Sequence, residues 1–146
     1  MAGERKDPFR NYRFKVQCEG LNVASFSDVS GFDAQTNSVD YREGDETLLT
    51  TRKLPGLAKY GNITLKKGVI EDLNIYNWAI SMPTQGKIIR RNLTITLMDE
   101  AGTDKASWQI ENAWPVKYSL SEFKAQGNEV MMETLELTHE GMTRTK

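Results

Sequence analysis

Two stretches of this chain alternate polar and apolar side chains almost without a break, and that period of two limits what the rest can build. From Asn11 to Glu19, Tyr12, Phe14, Val16 and Cys18 fall on one face and Arg13, Lys15, Gln17 and Glu19 on the other. From Lys87 to Asp99, Ile89, Arg91, Leu93, Ile95 and Leu97 oppose Arg90, Asn92, Thr94 and Thr96. Successive side chains of a strand point to opposite sides, so each stretch reads as a strand with one buried face. The second is the longest strand expected.

Weaker versions of the pattern recur along the chain. Val23–Asp28 reads as a short strand after the turn Gly20-Leu21-Asn22, and Ser30-Gly31-Phe32 breaks it. Ala34–Arg42 and Ile63–Lys67 follow, the latter with Ile63 and Leu65 on one face. Lys105–Asn112 returns from the Asp99–Gly102 turn, Trp114-Pro115 ends it, and Val116–Tyr118 continues extended. In Asn128–Glu140 the apolar phase changes from Val130 and Met132 to Leu135 and Leu137, which predicts a bulge, or a switch of buried face, near Glu133-Thr134. The first and last strands are the natural free edges. A helix is predicted over Asp72–Ser81, with acidic residues at its start and Pro83 beyond its end. Leu73, Tyr76 and Ile80 mark its apolar face, widened by Ile75, Trp78 and Ala79. Six or seven strands and one helix make the chain mainly β.

The stretch Leu54–Gly68 (LPGLAKYGNITLKKG) joins the most exposed part of the chain to its body. Pro55-Gly56 favours a tight turn. Before it, Glu43–Lys53 is polar with no clear buried face, either a protruding hairpin or an irregular loop. Asp40–Tyr60 thus reads as a long protruding loop. Ordering it costs conformational entropy that its few apolar residues do not offset, so it calls for a partner. Leu48, Leu49, Leu54 and Leu57 offer apolar anchors, and Arg42, Glu43, Arg52, Lys53 and Lys59 offer charge.

Nineteen basic and twenty acidic residues leave a net charge of −1, which excludes strong electrostatic attraction to nucleic acid or anionic membrane. The 146 residues fit one domain, 1–146, with a charged arm over 1–10 and a tail over 141–146. The start lacks the apolar stretch of a signal peptide, and no apolar run spans a bilayer. With Cys18 as the single cysteine, no internal disulfide forms, and synthesis in a reducing cytoplasm is expected.

Catalytic chemistry is hard to assemble from these residues. Gly56–Asn62 has the glycine spacing of a phosphate loop, but Asn62 and Ile63 stand where Lys and Ser or Thr are required. His139-Glu140 opens like a zinc-protease motif, yet there is no second histidine. Cys18, on the apolar face of a strand, reads as a buried thiol rather than a nucleophile. We expect no catalytic, cofactor or metal residues, and no enzyme.

Seven segments in order carry a resemblance: DPFRNYRFKV (Asp7–Val16), FSDVSGF (Phe26–Phe32), VDYREG (Val39–Gly44), RKLPGLAKYGNITLKKG (Arg52–Gly68), RRNLTITLMDEAG (Arg90–Gly102), WPVKY (Trp114–Tyr118) and GNEVMMETLELTHEG (Gly127–Gly141). Together they resemble the inner tube proteins of contractile phage tails and extracellular contractile injection systems, and distantly the type VI secretion tube protein. The resemblance implies two antiparallel sheets in a barrel-like sandwich with one flanking helix. It also implies hexameric rings that stack into a hollow tube, driven by a contracting sheath and conducting cargo or DNA. The implied partners are further copies of the chain, the sheath, baseplate or tube-initiator and terminator proteins, and lumen cargo, with no membrane insertion by this chain. Under it, Arg90, Asn92, Thr94 and Thr96 become candidates to line the lumen, and the Asp40–Tyr60 residues named above candidates for contacts between rings. The implied location is the bacterial cytoplasm, then a phage tail or a released injection particle. A type VI-like ring that carries or chaperones secreted effectors is the alternative.

Overall fold

The structure, a computed structural model, describes residues 13–21, 26–42, 44, 51–123, 125–127 and 130–146. Its strands are β1 (Arg13–Cys18), β2 (Asp28–Ser30), β3 (Ala34–Tyr41), β4 (Arg52–Tyr60), β5 (Ile63–Gly68), β6 (Arg91–Met98), β7 (Asp104–Leu120), β8 (Met132–Thr138) and β9 (Gly141–Arg144). Two short helices, α1 (Asn74–Ala79) and α2 (Ser81–Gln85), lie between β5 and β6.

Seven strands form one antiparallel sheet in the order β1-β6-β7-β8-β5-β2, with β9 also on β7. The sheet folds on itself at β7, whose 17 residues serve both walls. The first half pairs with β6 and β9, and Trp114–Leu120 pairs with β8. One wall is therefore β1-β6-β7-β9 and the other β7-β8-β5-β2, a sandwich in which β1 and β2 do not pair among the described residues. Asn112 marks the crossing with φ of 53°, a left-handed conformation that Asn tolerates better than most residues. Its backbone N–H donates to Asn92 Oδ1 at 3.1 Å, and its side-chain amide donates to Glu140 at 2.8 Å.

The core lies between the walls. Val16, Ile63, Leu65, Leu93, Ile110 and Leu137 are fully covered, each such side chain adding about 1.5–3 kcal/mol of transfer free energy. The alternation predicted for β1 and β6 holds for Val16, Cys18, Leu93 and Ile95, all buried. Trp78 closes one end, donating its indole N–H to the Ile89 carbonyl at 2.7 Å.

Several boundaries differ from expectation, each for a physical reason. The strand expected over Lys87–Asp99 is shorter, Arg91–Met98, and β7 is the longest. Pro115 does not end β7, because the register shifts between Pro115 and Lys117 and accommodates the missing N–H. Neither a bulge nor a switch of buried face occurs at Glu133-Thr134: Glu133, Leu135 and Leu137 all face the core in one phase. The apparent change arose because the core-facing residue at 133 is a carboxylate. Gly141–Lys146 is not a free tail, since Gly141–Arg144 pairs with β7 and Met142 packs on the core. The preceding strand, β8, lies between β7 and β5, an interior strand rather than a free edge. The second strand falls at Asp28–Ser30, and Val23, Ala24 and Ser25 lie outside the described residues.

The predicted helix Asp72–Ser81 divides into α1 and α2 at Ile80. Pro83 sits inside α2 instead of ending the helix, within a first turn whose N–H groups need no helical partner. Ile75, Trp78 and Ala79 are the buried face of α1, while Leu73 and Tyr76 point outward. Asp72 accepts the Asn74 N–H at 2.9 Å ahead of the helix.

The protruding segment is also more regular than a loop. Ala34–Tyr41 and Arg52–Tyr60 pair as a two-stranded antiparallel hairpin, making no ladder with the seven-stranded sheet. Pro55-Gly56 is no turn: the register shift there leaves an extra residue on β4 opposite Thr36–Ser38. A Cβ on Gly56 would lie 2.9 Å from the Asn37 carbonyl oxygen, so the bulge needs glycine. β4 lacks alternation because its own chain covers neither face. At the root, Gly31 has φ of 97° and a Cβ there would approach the Asn62 carbonyl to 2.0 Å.

Candidate assembly surfaces

Residues on the outer side of the first wall pair in polar rows. Gln17 lies opposite Thr94, which lies opposite Gln109, itself opposite Thr143. One step along, Lys15, Thr96 and Ser107 form the next row, with the Thr96 and Ser107 hydroxyls 3.1 Å apart. Lys15 Nζ lies 3.4 Å from Asp104. Asn92 and Thr94 are half-buried on this face, whereas Thr96 is only 2% exposed, covered by its own chain. Arg90 precedes β6 and is exposed, its Nε 4.0 Å from Glu140. A polar, Thr-rich face backed by Leu93 and Ile95 suits standing water, as on the inner side of large barrels.

Among the described residues, the strands at both edges of that wall, β1 and β9, have no second neighbour, nor does β2 on the other wall. An exposed edge is a template for pairing with another chain, and β9 was not foreseen because four residues carry too little periodicity to register. Phe14, Val29, Phe32, Ile95, Leu97 and Trp108 line an apolar hollow of about 340 Å³.

Every residue of β3 is exposed, and on β4 only Gly56 and Tyr60 are partly covered. Arg42, Arg52, Lys53, Leu54, Leu57 and Lys59 all lie on this hairpin or beside it, and Leu57 is 82% exposed. Lys53 pairs with Asp40 across the two strands. Glu43, Leu48 and Leu49 lie outside the described residues, as do Tyr12 and the 1–10 arm.

One polar cluster escaped sequence reasoning. Lys67 and Glu133 are buried opposite each other on β5 and β8. The Tyr118 hydroxyl donates to Glu133 Oε2 at 2.5 Å, and the Tyr118 ring meets Tyr76 edge-on at 5.7 Å. Burial, reinforced by the bond to Glu133, raises the Tyr118 pKa above its ordinary value. A lysine in phase with Ile63 and Leu65 was the available signal.

Cys18 is buried as expected, and burial pushes its thiol up to about 11 despite the opposing pull of the Arg91 guanidinium. Arg91 Nη1 donates to the Glu19 carbonyl at 2.7 Å, and the guanidinium sits 5.7 Å from the Trp78 ring centre. Among the described residues no group of three or more His, Cys, Asp or Glu side chains is placed to hold a metal ion. Among them also no helix is long and apolar enough to cross a membrane.

A comparison with curated protein sequences gave no match. Solved structures match closely. A chain from the anti-feeding prophage cap, described as a tube-terminating cap, is 30% identical with a TM-score of 0.84, covering 100% of this chain and 96% of that one. A chain from the sheath/tube terminator of the PVC extracellular contractile injection system is 28% identical with a TM-score of 0.82, over 97% and 99%. Hcp1 from Flavobacterium johnsoniae shares the fold at 12% identity and a TM-score of 0.64, over 92% and 95%. The profile of the T4-like virus tail tube protein gp19 family matches residues 10–143. The chain belongs to that family of tail tube proteins.

Proposed function

We propose that this protein is a structural subunit of the inner tube of a contractile injection system, or of its terminating ring. Copies close into hexameric rings through the edge strands of the β1-β6-β7-β9 wall. The polar outer face of that wall, with Asn92, Thr94 and Gln109, lines the channel. Rings stack into a hollow tube inside a sheath, and the β3–β4 hairpins join one ring to the next through Leu54, Leu57, Arg52, Lys53 and Lys59. The protein works by assembly, not by catalysis.

The observation that carries this reading is the family match over 10–143, joined to a wall with one polar face whose two edge strands have no further partner among the described residues. Edge pairing supplies register through backbone hydrogen bonds, and cyclic closure leaves no edge unpaired. The relatives at 28–30% identity come from injection-system particles containing tube, cap and sheath. They favour such a particle over a phage tail, with a sheath and a terminator as partners; the cargo we expect is an effector protein or DNA. The soluble carrier reading rests on the Hcp likeness, which at 12% identity concerns the fold alone.

Negative-stain electron microscopy of the purified chain tests the proposal. Long filaments with a stain-filled central channel are expected, and sheath protein from the same system should decorate them. Monomers that never assemble, with or without the sheath, would overturn it.

A further inference from the structure

We propose that the β3–β4 hairpin of one copy seats on the opposite end of the β7-β8-β5-β2 wall of a second copy in the adjacent ring. The inference rests on the ring-stacking reading and names the receiving surface. The hairpin leaves the body where β2 ends at Ser30 and β5 begins at Ile63. At the other end of that wall Gly68 pairs with Met132, and the Ser121 and Val69 N–H groups donate to the Met132 and Met131 carbonyls, each at 2.9 Å. The six residues of β5 separate the two ends by about 17 Å.

The far end has the chemistry of a seat. Ser121, Glu122, Phe123, Val130, Met131 and Met132 line a hollow of about 710 Å³. Phe123 is 83% exposed and Val130 72%, with exposed Ile70 and Leu73 on the connection that leaves β5. A single exposed apolar residue means little, but a group of them around a hollow marks an interaction surface. Methionine side chains adapt to whatever enters. The hairpin has the matching need, for a two-stranded hairpin alone is marginal in water and this one displays Leu57, Val39 and Leu54.

Charge favours the same pairing. The described hairpin stems carry Arg42, Arg52, Lys53 and Lys59 against Asp40, while the far end carries Glu71, Asp72 and Glu122. Complementary charge fixes orientation while the apolar contacts hold. Hairpin and seat lie at opposite ends of one wall, so the contact is head-to-tail. It repeats along an axis instead of closing as a dimer.

The test mixes subunits carrying Leu57→Cys with subunits carrying Phe123→Cys and oxidises the assembled tubes. A cross-linked dimer is expected in tubes when both variants are present, and at least ten-fold less of it from either variant alone. Leu57→Asp and Phe123→Asp should each leave rings but abolish filaments. If Leu57→Asp abolishes filaments while Phe123→Asp and Val130→Asp do not, or if the mixed tubes give no cross-link, the seat is wrong and the stacking role of the hairpin stands. If Leu57→Asp also leaves full-length filaments, the hairpin does not join rings and both readings fall.

Discussion

Lys67 Nζ lies 2.9 Å from Glu133 Oε1 on directly opposed residues of β5 and β8, with side chains only 5% and 8% exposed. Two buried charges in contact gain little over a well-packed apolar pair, but removing one leaves the other stranded. Lys67→Met is therefore expected to cost about 3–5 kcal/mol in urea unfolding of the subunit. Adding Glu133→Leu and Tyr118→Phe should recover most of that loss. A triple variant as unstable as the single one would mean that the cluster contributes through shape, not charge.

The fold holds the Cys18 thiol protonated, because its pKa is raised from 9.0 to about 11. A raised folded pKa gives stability that is fully present below pH 9.0 and lost as pH climbs through about 11. The loss attributable to this thiol is on the order of 2 kcal/mol. Cys18→Ala should flatten that part of the alkaline stability curve relative to the wild type. Equal slopes for the two proteins in denaturant titrations near the upper pH would refute the assignment.

The free edge of β9 can be tested one amide at a time. Thr145 N–H bonds the Ser107 carbonyl at 2.8 Å, so by the alternation of an antiparallel ladder the Arg144 N–H points away from β7. Arg144→Pro removes that outward donor and no internal ladder bond. Folded subunits that sediment as monomers are expected, whereas Arg144→Ala should still give rings. Normal rings from the proline variant would move the neighbour's backbone off this edge.

Thr94 and Gln109 sit side by side on the polar face of the first wall. Thr94→Cys and Gln109→Cys should react at least ten-fold more slowly with a bulky maleimide in assembled tubes than in dissociated subunits. The buried Cys18 contributes little background in either state. Equal rates in both states would mean that this face is not enclosed.

What the sequence disclosed, and what it hid, follows from where each signal comes from. Alternation reports a face buried by the chain itself, so β1, β5 and β6 were readable from Val16, Ile63 and Leu93. The hairpin has no such face, and β4 looked like a loop for that reason. Charged residues in core positions scramble the pattern, and Glu133 was mistaken for a bulge or a switch of face. Pro115 read as an ending because the extra residue that follows it on β7, Val116, shows only in the pairing with β8. Of the candidate residues, the sequence grouped Asn92 and Thr94 correctly on one side of β6. It did not show that Ser107 covers the hydroxyl of Thr96.

The passage of β7 from one wall to the other has a mechanical meaning. Shear that slides one sheet of a sandwich over its partner ordinarily meets only side-chain packing. Here the two walls share a continuous 17-residue backbone, so such sliding must strain covalent geometry at Ala113–Pro115. A force applied to one wall can therefore pass to the other without the two layers slipping. Stiffness against such shear is written into the path of a single strand.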